Sequence, residues 1–115
     1  MSLLLDAFSN ELTSIYDSIL AKFPNDKDLL YGQTKIQASL HLSPRLVSST
    51  FLDNVIPYLD KLEARDDAFF LSLSKNELCL DLSDKWESFS AIERTRLFRG
   101  VEKLVKIAGA IRVRQ

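Results

Sequence analysis

The sequence predicts an all-α protein, a compact bundle of four to six helices formed by a single domain that spans residues 1–115. Three observations support this fold class. Apolar residues recur at helical spacing along almost the whole chain. Only three glycines and three prolines punctuate it, and no linker-like stretch divides it. Hydrophobic residues make up 46% of the chain, which is enough to form one core.

The first predicted helix covers about residues 2–23 and ends before Pro24, because the residue before a proline is driven out of the α-helical region. Its apolar side chains fall on one face and are Leu5, Phe8, Leu12, Ile15, Tyr16, Ile19 and Phe23. Asn25 or Asp26 is suited to cap a second helix, which Gly32 weakens. The apolar stripe of this second helix is thin and consists of Leu29, Leu30, Ile36 and Leu40.

Ser43 and Pro44 predict the start of a third helix, since a hydroxyl cap is followed by proline at the first helical position. The predicted core face of this helix contains Val47, Phe51, Val55, Tyr58, Leu59 and Leu62. Pro57 removes one backbone hydrogen bond, so we expect either a kink or a break there. We expect the first, third and last helices to be the longest.

Two patterns follow the third helix. Asp66 and Asp67 are suited to begin a short helix. In residues 78–82 leucines alternate with other residues at the period of a strand, but the segment is too short to form a sheet alone. It therefore predicts an extended connector, Leu78 to Leu82, whose leucines pack on the bundle. Ser83 or Asp84 is then expected to cap a short helix that contains Trp86 and Phe89.

The last helix has the clearest pattern in the chain. Ser90 and Glu93 have the spacing of a capping box, in which each side chain binds a backbone N–H of the other residue. The apolar stripe that follows consists of Leu97, Phe98, Val101, Leu104, Val105, Ala108 and Ile111. The opposite side carries Arg96, Arg99, Lys103 and Lys106.

Charge is distributed unevenly along the chain. Residues 1–92 hold eight Lys and Arg against fourteen Asp and Glu, a net charge of −6, whereas residues 93–115 hold seven against two, a net charge of +5. The basic helix either docks on acidic residues of its own chain, which the sequence favours, or binds an acidic partner surface or nucleic acid. A solvated helix face is the simplest interpretation, because the helix dipole also favours cations near its C-terminus.

The same four basic residues, Arg96, Arg99, Lys103 and Lys106, are the candidate residues for binding a partner or nucleic acid. No aromatic residue interleaves with them, so stacking on single-stranded bases is not indicated.

No pattern in the sequence indicates catalysis or a cofactor. His41 and Cys79 are the only residues of their types, too few for a zinc site or a disulfide. The scattered glycines form no phosphate-binding loop, and no apolar run reaches the roughly 18 residues that span a bilayer. We expect Cys79, between two leucines, to be buried. The sequence thus predicts a non-enzyme without a metal, a cofactor or a small-molecule substrate, in a reducing, intracellular and cytoplasmic setting.

Within residues 43–71 the sequence contains Phe51, Val55, Pro57 and Tyr58, followed by Asp67 and the run Phe69-Phe70-Leu71. This pattern resembles a family of small α-helical proteins of large DNA viruses that infect algae and protists, and the resemblance covers about the first two-thirds of the chain. It implies a viral accessory protein or a virion-associated protein and carries no activity or functional residue with it.

Three functions follow from these observations, in order of preference. The first is a non-enzymatic interaction or structural protein that acts through a helical surface or by self-association. The second is a nucleic-acid-binding accessory protein that uses the basic face of the last helix. A small helical enzyme is the residual alternative.

Overall fold

The computed structural model describes residues 3–114, and the residues it describes form six α-helices. These helices are α1 (Leu3–Lys22), α2 (Lys27–Leu42), α3 (Pro44–Val55), α4 (Leu59–Glu63), α5 (Asp67–Glu77) and α6 (Ala91–Val113). Single 3-10 turns occur at Ile56–Tyr58 and Trp86–Ser88, and no strand is present between residues 3 and 114. The predicted all-α bundle of four to six helices is therefore confirmed. Residue 2, where the first helix was expected to begin, lies outside the described residues.

The two longest helices, α1 and α6, run antiparallel and form the centre of the bundle. Lys22 at the end of α1 pairs with Glu93 at the start of α6, with 3.1 Å between Nζ and Oε1. In the middle of the pair, a Cβ atom added to Gly100 would lie only 2.9 Å from Cγ1 of Ile15. Glycine at this position lets the two helices approach closely.

The predicted apolar stripe of α6 faces the core. All of its members are buried except Val105, which is half-buried. Arg112 ties the far end of α6 to α3, where its Nη2 lies 2.7 Å from Oδ1 of Asp53 and donates to the backbone oxygen of Ser49 at 3.2 Å. The sequence pattern of the last helix was thus sufficient to assign its buried side.

Pro57 breaks the third helix. The α-helix ends at Val55, a 3-10 turn follows at Ile56–Tyr58, and α4 begins at Leu59. Because the chain leaves the helical register there, Tyr58 and Leu59 are exposed, and their predicted place on the core face is wrong. With 12 residues, α3 is also shorter than α2, which has 16, so the expected order of lengths is wrong for the third helix.

Four of the five predicted N-terminal caps form as expected, those of α2, α3, α5 and α6. The side chain of Asp26 accepts from the backbone N–H of Leu29 at 3.1 Å, and Ser43 and Asp66 cap α3 and α5 in the same way. Both halves of the Ser90 and Glu93 capping box are present. Caps bind backbone groups only three residues away, so they can be read from local sequence.

The short helix expected after Ser83 is not a capped α-helix. A 3-10 turn begins at Trp86 without a side-chain cap, and Phe89 already has extended backbone angles. The backbone N–H and the hydroxyl of Ser83 instead donate to the carboxylate of Asp81. Asp81 and Ser83 thus form a local turn rather than a helix start, because a short polar side chain can satisfy nearby backbone groups in either way.

The connector after α5 buries Leu78, Leu80 and Leu82, as predicted. Ser74 fixes it with two hydrogen bonds: its hydroxyl donates to the carbonyl of Leu80 at 2.7 Å, and its own carbonyl accepts from the N–H of Leu80 at 2.9 Å. The buried Tyr16 hydroxyl donates to the carbonyl of Leu78. The connector is therefore part of the core rather than a loop over it.

The backbone of this connector is not uniformly extended. Cys79 has a positive φ of 59°, which turns the chain sharply between two buried leucines. Both neighbouring leucines occupy the core, so the Cys79 side chain is only half-buried, and its expected burial is wrong.

Candidate interaction surface on the last helix

Four basic residues form a row along the solvent side of α6. Arg96, Arg99, Lys103 and Lys106 are separated by three, four and three residues, which keeps them on one face over about 15 Å. All four side chains are exposed, as the sequence predicted. We refer to these four residues as the basic row.

The basic row differs from the other cations of α6 in having no acidic partner. Arg94 lies 3.8 Å from Asp67, and Arg112 pairs with Asp53, so both are engaged within the chain. Within residues 3–114, no member of the basic row makes an ion pair or a side-chain hydrogen bond. Arg94 and Arg112 of the last helix therefore dock on acidic residues of the same chain, as the sequence favoured. The four cations of the basic row have no such partner among the described residues and can contact a ligand.

A groove of about 500 Å³ runs between α1 and α6 beside the basic row. Its α6 side carries Arg96, Arg99 and Lys103, and Lys106 lies beyond its end. The opposite side consists of Glu11, Ser14 and Ser18 of α1, and Ile15, Leu97 and Gly100 contribute apolar surface between them. The groove thus has a basic wall, a polar wall and an apolar floor.

Two carboxylates, those of Glu11 and Glu93, line the groove, and they differ in whether nearby donors compensate their charge. Hydrogen bonding from the Ser90 backbone N–H, followed by that from the Lys22 ammonium, holds the pKa of Glu93 below its usual range. Glu93 is therefore ionised at neutral pH and already compensated by these two donors. Glu11 makes no ion pair in the part of the chain that the structure describes. Three cations against one uncompensated carboxylate give the groove a positive potential.

The α1 side of the groove could not be found from the sequence. Ser14 and Ser18 are spaced like ordinary solvent-facing residues of the first helix, and about 80 residues separate them from the basic row. The packing of Ile15 against Gly100 and the ion pair between Lys22 and Glu93 bring the two helices together. A glycine at position 100, next to the predicted apolar stripe of α6, was the single available signal.

The other titratable residues that the sequence singled out are not brought together. His41 is exposed at the end of α2, and Cys79 is half-buried in the connector. Burial raises the pKa of the Tyr16 hydroxyl far above its usual range, so this group stays protonated at neutral pH. Among residues 3–114, no three His, Cys, Asp or Glu side chains converge to form a possible metal site. That the protein is not an enzyme stays a prediction.

None of the helices described is long and apolar enough to cross a membrane. No family model, curated protein or solved structure matches this chain. The resemblance to viral proteins accordingly stays a prediction, and the function must be argued from the surface itself.

Proposed function

We propose that this protein is a non-enzymatic interaction module that binds an acidic segment of a protein partner along the basic row and the α1/α6 groove. The observation that carries the proposal is the basic row itself, four exposed cations on one helix face without an acidic partner among the described residues. Unpaired cations in a row attract a complementary row of carboxylates, which fixes register and orientation.

The dimensions of the surface favour a protein segment over a nucleic acid. A row of about 15 Å beside a groove matches the length of a short amphipathic helix or a short extended segment. Residues 1–92 carry a net charge of −6, with all fourteen acidic residues outside residues 29–52, and these acids disfavour a polyanion that extends past the row toward them. Binding to nucleic acid through the same cations is the alternative that the experiment below separates.

The setting of the protein is part of the proposal. We propose that it is an intracellular, cytoplasmic protein without a cofactor. An interaction module of this size suits an accessory or virion-associated component. Self-association is one form of such binding, with the acidic segment supplied by a second copy. In that case light scattering gives a mass above 13.1 kDa at micromolar concentration, and Arg96→Glu with Arg99→Glu restores the monomer.

The test compares two fluorescent probes of equal charge by anisotropy. One probe is a synthetic amphipathic peptide with glutamates at helical spacing, and the other is a short DNA duplex. We expect the peptide to bind more tightly than the duplex at the same salt concentration. The triple variant Arg96→Glu, Arg99→Glu and Lys103→Glu should weaken peptide binding at least about a hundredfold, because attraction at three positions becomes repulsion.

The matched control is the triple variant Lys27→Glu, Lys61→Glu and Lys75→Glu, which changes the net charge equally at exposed positions away from α6. Its Kd for the peptide should lie within about threefold of the Kd of the parent protein, when both are measured at a salt concentration that screens the change in net charge. Tighter binding to the duplex, with a steep salt dependence, would establish the nucleic-acid alternative instead. Failure to bind either probe, or equal losses in both triple variants, would refute an interaction through the basic row.

A further inference from the structure

A second surface, separate from the basic row, lies where α2 meets α3. From residue 37 to residue 46 no residue is buried, and burial resumes only at Ser48. Leu40 is half-buried and packs against the core, whereas most other side chains at the C-terminal end of α2 and in the first turn of α3 are exposed. We call residues 37–46 the elbow.

The elbow carries large apolar side chains at its surface. Leu42 is 83% exposed and Leu46 is 64% exposed, on either side of the Ser43 cap. On α2 the same face continues to Tyr31, which is 67% exposed, because residues 31, 35 and 42 fall on one side of a helix. Two leucines and a tyrosine are thus exposed apolar side chains that no other described part of the chain covers.

The charge around the elbow has one sign. No acidic residue occurs between Asp28 and Asp53, although the chain contains 16 Asp and Glu in total. The titratable groups of this stretch, Tyr31 apart, are Lys35, His41 and Arg45, all exposed. None of the three makes an ion pair with another described residue, and Lys35 lies over the Tyr31 ring, 5.5 Å from its centroid.

We propose that the elbow binds the surface of an anionic lipid bilayer. The apolar side chains are exposed, and an exposed apolar surface can enter a deformable bilayer interface without needing a matching pocket. Leucine side chains enter the boundary between headgroups and acyl chains, tyrosine lies at the headgroup level, and cations meet the anionic headgroups. The elbow and the adjoining face of α2, with Tyr31 and Lys35, together offer these three components and carry no carboxylate to repel the lipid surface.

The positions of the cations agree with this orientation. Arg45 lies between Leu42 and Leu46 in the sequence, and its long side chain can extend from the inserted leucines toward the headgroup phosphates. Lys35 lies on the same helix face as Leu42, about 10 Å away along α2. The proposed contact with the bilayer is peripheral. Only leucine side chains at the junction of α2 and α3 insert, and no helix enters the bilayer.

The experiment is co-sedimentation of the full chain with vesicles of phosphatidylcholine alone or with about one third phosphatidylserine, near physiological ionic strength. We expect binding to the phosphatidylserine vesicles and little to the neutral ones. Leu42→Ser with Leu46→Ser, and separately Lys35→Glu with Arg45→Glu, should each reduce binding at least about tenfold. Circular dichroism must show unchanged helix content in both variants.

Two controls match these changes elsewhere on the surface. Ile92 is 67% exposed at the start of α6, so Ile92→Ser removes a comparable apolar side chain. Lys61→Glu with Lys75→Glu makes the same change in charge at exposed positions outside the elbow and the basic row. Both controls should bind the vesicles within about twofold of the parent protein. A loss confined to a further variant, Arg96→Glu with Arg99→Glu, would overturn the proposal, since the basic row would then be the lipid-binding surface.

A second measurement tests insertion directly. Leu42→Trp should give a blue shift and quenching by brominated acyl chains only with phosphatidylserine vesicles, while the buried Trp86 contributes a constant background. Absence of the shift, absence of vesicle binding by the parent protein, or binding unchanged by the leucine substitutions would each refute the proposal. So would a dimer that Leu42→Ser and Leu46→Ser convert to a monomer, because a second copy would then cover the elbow.

Discussion

At the scale of single residues, Gly32 shows why a helix tolerates a residue that weakens it. Glycine in a helix interior costs about 1 kcal/mol relative to alanine. At this position, however, a Cβ atom would lie 2.1 Å from the carbonyl oxygen of Cys79. The carbonyl is held by the left-handed turn at Cys79, so it cannot move aside without disturbing two buried leucines. Close contact between α2 and the connector therefore requires glycine.

Replacing this glycine should destabilise the protein, and the chain supplies its own control. Gly32→Ala should lower the free energy of unfolding by about 1–3 kcal/mol through overpacking. Gly109→Ala should raise it by up to about 1 kcal/mol, because a Cβ at Gly109 meets nothing within 4 Å. Urea denaturation of the two variants measures both values. Equal effects of the two substitutions would contradict the contact with Cys79.

Arg65 combines an unfavourable backbone with a well-engaged side chain. Its φ of 57° is left-handed. The N–H of Arg65 donates to the carbonyl of Leu62, and the N–H of Asp66 donates to that of Lys61. Helix ends with these two hydrogen bonds usually have glycine at the position of Arg65. The guanidinium lies 2.8 Å from Oε1 of Glu102 and 5.5 Å from the centroid of the Phe98 ring. These contacts with α6 explain the presence of arginine at a position that suits glycine.

Two substitutions separate the side chain from the backbone. Arg65→Ala loses the contacts to α6 and keeps the left-handed strain, whereas Arg65→Gly loses the same contacts and relieves the strain. Arg65→Gly should therefore be more stable than Arg65→Ala by about 1 kcal/mol in thermal or urea denaturation. The reverse order would show that the backbone at residue 65 is not strained.

At the scale of elements, the start of α6 depends on an ionised carboxylate. Oε1 of Glu93 accepts from the Ser90 backbone N–H at 2.8 Å and lies 3.1 Å from Nζ of Lys22. Cap and ion pair thus share one side chain, which joins the beginning of α6 to the end of α1. Both interactions require an ionised Glu93. The hydrogen bond from the Ser90 backbone N–H lowers the pKa of Glu93 most, and the hydrogen bond from Lys22 is the next largest cause.

This arrangement makes stability sensitive to acid. Because the folded state lowers the pKa of Glu93, the stabilisation is complete above its unfolded pKa and is lost as the pH falls through the lower folded value. Glu93→Gln should therefore reduce the free energy of unfolding at pH 7 and flatten its dependence on pH below about 4.5. Urea denaturation between pH 7 and pH 3 measures this. A parallel pH dependence in parent and variant would contradict the assignment.

At the scale of the whole molecule, burial is distributed unevenly among the helices. Fully buried side chains are concentrated in α1, α6 and the connector between α5 and α6, and the elbow has none. Amide hydrogen exchange should accordingly be slowest in the central turns of α1 and α6 and fastest, among helical amides, in residues 37–46. Mass spectrometry of peptic fragments measures the pattern. Uniform protection would indicate that the elbow is stabilised by contacts beyond those described.

The sequence determined the local features of this protein. Helix caps at Asp26, Ser43 and Ser90 and the two faces of α6 were predicted correctly, because they depend on residues within a few turns of one another. The break at Pro57 was foreseen as one of two outcomes for the same reason. Tyr58 and Leu59 were misplaced because their positions depend on how the chain continues after the break.

Tertiary structure alone decided which polar groups meet. Sequence periodicity placed seven cations in the last segment but could not say that Arg94 and Arg112 find acidic partners while Arg96 and Arg99 find none. Those pairings join residues that are distant in the chain, and they depend on helix crossing and register rather than on local spacing. Both the groove beside the basic row and the exposed elbow arise in this way, from the packing of helices that the sequence had already specified one by one.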